Sequence, residues 1–206
     1  MANRAYLLSS KSADPQALDQ STCLLEATYA IPLFWMALFS HDDLINLATD
    51  ETSAAIPYLA TTVAHAKQRF VARNSCLLQY FVNVESYIPQ WQQLLSLVTD
   101  PYLCGQVAEI VAMTEGDERT VANALAFFEK PNELTLNALL RVSGLRDYYN
   151  PEQRTLRTDP VVHYLINGVK TAAWVPWRDP DEKTQSRQSV TAIIGAPQNK
   201  PWWKFW

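Results

Sequence analysis

The residues best suited to metal chemistry, the histidines and cysteines, are few and widely spaced. The chain holds three of each, at His41, His65, His163, Cys23, Cys76 and Cys104. No His-x₃-His or Cys-x₂-Cys pair occurs, so no spacing typical of a zinc site is present. The triplet at 41–43, His-Asp-Asp, has residue types found in metal phosphohydrolases, but no second histidine-rich segment accompanies it. The sequence therefore predicts no metal site, and the triplet is better interpreted as a helix start.

Nucleophilic chemistry has no clear sequence signature either. Each cysteine lies among apolar residues, which is typical of inert, buried thiols. The chain contains no Gly-x-Ser-x-Gly elbow and no glycine-rich phosphate loop, and it has only five glycines in 206 residues. Its 21 acidic residues always offer carboxylate pairs, but nothing singles one out. We therefore expect no catalytic residues and no cofactor.

The distribution of charge is the first feature that points to binding. The net charge is −4 and the sequence pI is about 5.4, which argues against a general nucleic-acid binder. No Lys or Arg occurs between Lys11 and Lys67, whereas seven acidic residues do. Such a segment is either a solvated face or a surface for a basic partner. The candidate partner-binding acids are Asp42, Asp43, Asp50 and Glu51.

The C-terminal segment is the second such feature. Five of the seven tryptophans lie in the last 33 residues, and the chain closes with Lys200-Pro-Trp-Trp-Lys-Phe-Trp206. Three interpretations stay open: the tail folds back into a groove of its own chain, binds a partner, or contacts a membrane interface. Trp202, Trp203 and Trp206 are therefore added to the candidate partner-binding residues.

The elements that position these residues are predicted to be mainly helical. Residues 3–8 have the pattern of a strand. Residues 30–145 predict a body of five to seven helices joined by proline-marked turns. Expected helices span 33–39, 40–48, a segment opened by Ile56-Pro57, a segment around 91–98, a segment opened by Thr99-Asp100-Pro101, 117–129, and 132–145 with Gly144 as its C-cap.

The pattern changes after Gly144. Asn167-Gly168 lies between two runs with β-branched and aromatic residues, 161–166 and 169–175, which favours a β-hairpin. The competing interpretation is a helix that begins at Asp159-Pro160 and ends at Gly168. The hairpin is preferred, so we expect one α+β domain of residues 1–206. This domain would combine the helical body with a small antiparallel sheet from the C-terminal hairpin and tail region, about 159–206. The strand at 3–8 is a candidate additional strand of that sheet.

The cellular compartment is expected to be the cytoplasm. The first residues lack the apolar core and cleavage site of a signal peptide. The longest uncharged apolar run, 27–39, is too short for a membrane span of about 20 residues. Three cysteines at wide spacing suggest reduced thiols rather than a disulfide scaffold.

Three segments together carry a family resemblance: Met1-Ala-Asn-Arg-Ala-Tyr-Leu7, Ile31-Pro32-Leu33 and the closing residues 200–206. They resemble those of a loose group of small cytoplasmic bacterial proteins, some of which look like immunity proteins of polymorphic or type VI secreted toxins. The resemblance covers a small part of the chain and contains no catalytic motif. It implies a protein that binds and neutralises a cognate antibacterial toxin in the cytoplasm of the producing cell.

Two other classes of function are compatible with the same residues. One is an enzyme with an unrecognised helical active site. The other is an oligomeric adaptor or scaffold that associates through the tail. The sequence favours the toxin-binding protein, which needs no active site and presents acidic groups to a protein toxin with a basic surface. It leaves the oligomeric state open.

Overall fold

A computed structural model describes residues 3–15, 17, 21–47, 56–113 and 118–170 of the chain. The fold is α+β, and the described residues belong to one compact unit. The strands in these ranges are β1 (Arg4–Ser10), β2 (Thr22–Thr28), β3 (Leu44–Leu47), β4 (Ile56–Thr62), β5 (Tyr102–Gln106), β6 (Tyr149–Asn150), β7 (Thr155–Leu156) and β8 (Val169–Lys170). Six of them form an antiparallel sheet in the order β3-β4-β5-β1-β2-β8, and β6 pairs with β7.

The helices of the described ranges lie mostly between β4 and β8 in the chain. They are α1 (Leu33–Met36), α2 (Val63–Tyr80), α3 (Ile88–Leu97), α4 (Ala108–Met113), α5 (Glu118–Ala126), α6 (Glu133–Val142) and α7 (Pro160–Asn167). Short 3₁₀ helices occupy His41–Asp43, Val82–Tyr87 and Arg146–Tyr148. The predicted helices near 33–39, 91–98, 117–129 and 132–145 are confirmed as α1, α3, α5 and α6.

The N-terminal strand is confirmed and lies inside the sheet. In β1, Leu7 is paired with Leu25 of β2 on one side and with Gly105 of β5 on the other. Leu7 is fully buried. A Cβ on Gly105 would lie 3.2 Å from the Cβ of Leu59 in β4, so this central position is packed too closely for most side chains.

The prediction of an all-helical body between residues 30 and 145 is wrong, because three strands cross it. Ile56-Pro57 opens β4 instead of a helix, and the helix begins only after Thr62, whose side chain accepts a hydrogen bond from the backbone of His65. Pro57 lies opposite Asn46 of β3 but one residue before the pairing of β4 with β5 begins at Tyr58, so its missing N–H leaves no bond to β5 unmade.

Two further predicted helix starts are corrected in the same way. The segment after Ser40 forms a single 3₁₀ turn and then β3. The segment after Pro101 forms β5, and its helix begins at Ala108. The Asp100 carboxylate is not a helix cap but accepts a hydrogen bond of 2.7 Å from the hydroxyl of Ser9 in β1. Pairing between distant strands therefore overrides the local helix signals.

The predicted hairpin at 161–175 is also wrong in its first arm. Residues Pro160–Asn167 form α7, which is the competing interpretation of the sequence. The Asp159 carboxylate caps the helix by accepting a 2.8 Å hydrogen bond from the backbone of Val161, and Gly168, at φ 75°, ends it. Val169 and Lys170 then pair with β2. The rest of the second arm lies outside the described residues.

The main core lies where α1 meets α2 and α3. All four residues of α1 are buried, as the sequence predicts for a helix that is apolar on all sides. The ring of Phe34 packs edge-on against Phe70 of α2 and Trp91 of α3, with ring centres 5.5 and 5.8 Å away. A smaller cluster contains Leu8, Tyr58, Ala60 and Cys104 from β1, β4 and β5.

Candidate partner-binding surface

The Asp43 carboxylate has a structural role in the fold. Its Oδ2 atom accepts hydrogen bonds from the backbone nitrogen and the hydroxyl of Ser40, at 2.7 and 3.1 Å. The same atom is ion-paired with the guanidinium of Arg69 in α2, which also donates to the hydroxyl of Thr61 at 3.0 Å. Only 12% of the Asp43 side chain is exposed. We conclude that this carboxylate anchors the 3₁₀ turn to α2 and β4.

Asp42, in contrast, is presented to solvent. Its side chain is 98% exposed, and that of the preceding residue, His41, is 63% exposed. The imidazole of His41 lies beside the Asp42 carboxylate, with Nδ1 and Oδ1 3.9 Å apart. Because Asp43 fixes the turn, the Asp42 carboxylate projects from a rigid base. The structure thus separates two adjacent acids that the sequence treats alike.

The remaining predicted site residues are not part of the described structure. Asp50 and Glu51 lie in the segment 48–55, and Trp202, Trp203 and Trp206 lie beyond residue 170. The structure therefore does not test their assignment to a binding surface.

A shallow depression of about 330 Å³ lies on the first half of α2 and is lined by His65, Gln68, Arg69 and Ala72. These four residues are spaced at i, i+3, i+4 and i+7, so they form one stripe along the helix. Arg69 links the depression to Asp43 through the ion pair. The depression and the exposed Asp42 therefore border the same fixed turn. The sequence shows the helical spacing of these four residues, but it does not show that Arg69 of this stripe pairs with Asp43 in the turn at 41–43.

Arg73 has a structural role that the sequence does not predict. A helix opened by Ile56-Pro57 would place Lys67, Arg69 and Arg73 in its last turns, yet α2 begins at Val63 and continues to Tyr80. Arg73 is 7% exposed. Its guanidinium donates to the backbone oxygens of Ala37 and Phe39, the first at 3.1 Å.

Further contacts to the same guanidinium come from the segment that follows α5. Its Nη2 lies 3.6 Å from the carboxylate of Glu129, and its central carbon lies 5.0 Å from the ring centre of Phe128. The pKa of Arg73 is lowered to about 10, chiefly by burial and next by the positive charge of Arg69, while Glu129 and Asp43 act in the opposite direction. Arg73 therefore joins α2 to the end of α1 and to the segment after α5.

The cysteines and histidines do not assemble into a reactive centre in the described part of the chain. Burial raises the pKa of the Cys76 and Cys104 thiols, which favours the unreactive protonated form. The ring of His163 packs at a tilt of 54° against that of Tyr87, with ring centres 5.3 Å apart. Among the described residues, no group of three or more His, Cys, Asp or Glu side chains is arranged to hold a metal ion.

None of the helices in the described ranges has both the length and the apolar character needed to cross a bilayer.

Comparison with known proteins adds no family to this description. No family model, curated protein or solved structure matches the chain.

Proposed function

We propose that this chain is an immunity protein that binds a cognate secreted antibacterial toxin in the cytoplasm and neutralises it without catalysis. The observation that best supports this proposal is the contrast between Asp42 and Asp43. One carboxylate is consumed in fixing the turn, and the other is almost fully exposed on it. The backbone that carries Asp42 is anchored before binding through Asp43, so this turn loses little freedom on binding, which favours a tight contact.

The proposed contact is electrostatic at its rim and steric at its centre. A Lys or Arg of the toxin would pair with Asp42, and long-range attraction between an acidic surface and a basic one would speed association. A neighbouring toxin side chain would enter the depression lined by His65, Gln68 and Ala72. Inhibition then follows because the bound chain covers the surface with which the toxin acts.

The first experiment identifies the partner. The tagged full-length chain is recovered from its native host, and proteins bound in stoichiometric amounts are identified by mass spectrometry. We expect one secreted protein with a toxic domain, whose toxicity is suppressed when the two are expressed together. The proposed function would be contradicted if the chain is recovered without a bound toxin and its co-expression suppresses the toxicity of no secreted protein.

The second experiment places the contact. Asp42→Lys is compared with Asp147→Lys, which reverses the charge of another exposed aspartate, 70% exposed, on a different 3₁₀ helix. We expect Asp42→Lys alone to slow association with the toxin, and added salt to narrow the difference because it screens the repulsion. Equal rates for the two variants would exclude Asp42 from the contact.

A further inference from the structure

The strand β3 lies at one edge of the six-stranded sheet and directly follows the turn that carries Asp42. It pairs with β4 along one side, and within the described ranges no strand pairs with its other side. An edge strand presents main-chain N–H and C=O groups with which another extended chain can pair. The pairing of β3 with β4 determines which groups these are.

Leu44 and Asn46 direct their main-chain groups away from β4. Asn46 lies opposite Pro57, which has no N–H, so these two residues cannot form the kind of pair that exchanges two hydrogen bonds. The N–H of Leu44 donates to the backbone oxygen of His41 within the turn, and not to β4. Residues two apart in an antiparallel strand direct these groups to the same side, so the two observations agree. The C=O of Leu44 and both groups of Asn46 therefore face the outer edge.

We propose, on the basis of the toxin-binding function proposed above, that the outer edge of β3 pairs with an extended segment of the toxin. Strand addition supplies main-chain hydrogen bonds, while side chains at alternate positions of the two strands give selectivity. Leu44 and Ile45 point to opposite faces of the sheet, and both are partly exposed, so each can contact a side chain of the added strand. The contact at Asp42 is thereby extended along the neighbouring strand.

The charge beside β3 favours a basic partner over a second copy of this chain. No Lys or Arg occurs between Lys11 and Lys67, whereas seven acidic residues do. Of the two acids that precede β3, Asp43 is paired with Arg69 of α2, but the side chain of Asp42 is 98% exposed. Two antiparallel copies of β3 would bring this acidic part of the chain against itself, which is unfavourable. A toxin segment with Lys or Arg beside its paired residues is instead attracted to this edge.

A proline at position 46 tests the pairing. Asn46→Pro removes the outward N–H, and the preceding residue, Ile45, already has the extended backbone that proline favours before it. Asn46→Ala keeps the N–H and is the matched control. With the toxin recovered in the first experiment as the probe, we expect Asn46→Pro to bind more than about tenfold more weakly than Asn46→Ala. Equal affinities of the two variants would overturn the proposal.

Hydrogen exchange of backbone amides tests the same pairing in the wild-type chain, where no substitution disturbs the fold. The N–H of Asn46 should exchange rapidly in the free chain and at least about tenfold more slowly in the complex with the toxin. The N–H of Ile45 faces β4, so it should be protected in both states and is the internal control. A rate at Asn46 that the toxin leaves unchanged would also overturn the proposal.

Sedimentation equilibrium of the free chain tests the alternative occupant, a second copy. We expect no self-association that depends on position 46. A dimer that Asn46→Pro abolishes and Asn46→Ala keeps would assign the edge to a second copy instead. Failures of the two proposals are distinguishable. If no toxin is recovered with the chain, the proposed function fails and the strand pairing fails with it. If a toxin is recovered and both variants bind it equally, the function stands and only the strand pairing is overturned.

Discussion

The indole nitrogen of Trp91 donates a 2.7 Å hydrogen bond to the side-chain oxygen of Asn167, 76 positions further along the chain. The backbone oxygen of Asn167 accepts a second indole hydrogen bond, of 2.9 Å, from Trp35. The Asn167 amide in turn donates to the backbone of His163 at 3.0 Å. One asparagine at the end of α7 thus joins α1, α3 and α7, and the buried tryptophans are oriented by the residue that the sequence places in a hairpin turn.

Removing that acceptor is expected to destabilise the fold. In Asn167→Ala the indole N–H of Trp91, a residue 3% exposed, loses its partner, which costs about 1–3 kcal/mol. Asn167→Asp keeps an acceptor oxygen and should lose less. The measurement is the free energy of unfolding in urea, with Asn137→Ala on the exposed side of α6 as the control. A loss in the control as large as that in Asn167→Ala would contradict this role.

Gly168 and Gly144 form a matched pair for a second prediction. Both have positive φ, 75° and 68°, so alanine is strained at either site, and more at Gly168, whose ψ of −172° lies in a region that only glycine commonly adopts. The two glycines differ in the free space around the position that a Cβ atom would take. A Cβ on Gly168 would lie 2.8 Å from the ring of Trp35 and 3.0 Å from the backbone oxygen of Glu26, whereas on Gly144 it meets first the flexible end of Leu165 at 3.1 Å.

Gly168→Ala should therefore lower the free energy of unfolding by clearly more than Gly144→Ala, by about 1–3 kcal/mol, because the added methyl group meets the Trp35 ring and the backbone is strained further. Urea unfolding of the two variants measures the difference. Equal losses would mean that Trp35 shifts freely, which is incompatible with its hydrogen bond to Asn167.

Local signals explain which elements were predictable. The helix α6 carries its own signals, because the Asn132 side chain caps its start and Gly144, at positive φ, follows its C-cap residue Ser143. The strand β5 carries no such signal, because its partners are 98 residues away in the case of Leu7 and Gly105. Two prolines gave wrong predictions for the same reason. Pro57 and Pro101 fit the first turn of a helix, but Pro57 lies in β4 and Pro101 directly precedes β5, and the pairing of these strands is non-local.

The candidate site was predictable only in part, again because of distance in sequence. One local signal separates Asp43 from Asp42: Asp43 follows Ser40 by three residues, the spacing of a capping box, and accepts hydrogen bonds from it. The ion pair of Asp43 with Arg69, 26 positions later, has no such local signal. The buried Arg73 was equally hidden, since its acceptors are backbone oxygens, which no residue type reveals.

The same pair of aspartates gives a third prediction. Asp43→Asn removes the charge that faces Arg69 and weakens the bonds to Ser40, so we expect a loss of about 1–3 kcal/mol in the free energy of unfolding. Asp42→Asn should change it by less than about 0.5 kcal/mol, as is usual for an exposed side chain. Thermal or urea unfolding at neutral pH measures both. Comparable losses in the two variants would be evidence against the anchoring role of Asp43.

Arg73 supports a fourth prediction. Arg73→Met keeps much of the side-chain volume but leaves the backbone oxygens of Ala37 and Phe39, both in buried residues, without their donor. We expect a loss of about 2–4 kcal/mol, and a partial recovery in Arg73→Lys, which restores one donor group. Lys130→Met removes an exposed cation and serves as the control. Wild-type stability in Arg73→Met would show that relief from burying the charge offsets the lost bonds.

Tyr58 in β4 makes the stability depend on pH in a definite direction. Burial raises the pKa of its phenol well above the ordinary value near 10, and the adjacent Cys104 thiol raises it further. The folded chain therefore keeps this proton at pH values where the unfolded chain releases it. Stability from this group is complete below about pH 10 and is lost as pH rises above it, by about 1.4 kcal/mol per pH unit.

The variant Tyr58→Phe has no proton to lose at this position. In the wild type, the Tyr58 hydroxyl has no nitrogen or oxygen partner among the described residues. Removing this hydroxyl should therefore cost little stability at neutral pH or should stabilise the fold. Above pH 10 the variant should become progressively more stable than the wild type, because other ionising groups act equally on both chains. Urea unfolding of the two chains from neutral pH to beyond pH 10 gives the difference directly. Two curves that stay parallel across that range would show that the Tyr58 phenol ionises as readily in the folded chain as in the unfolded one.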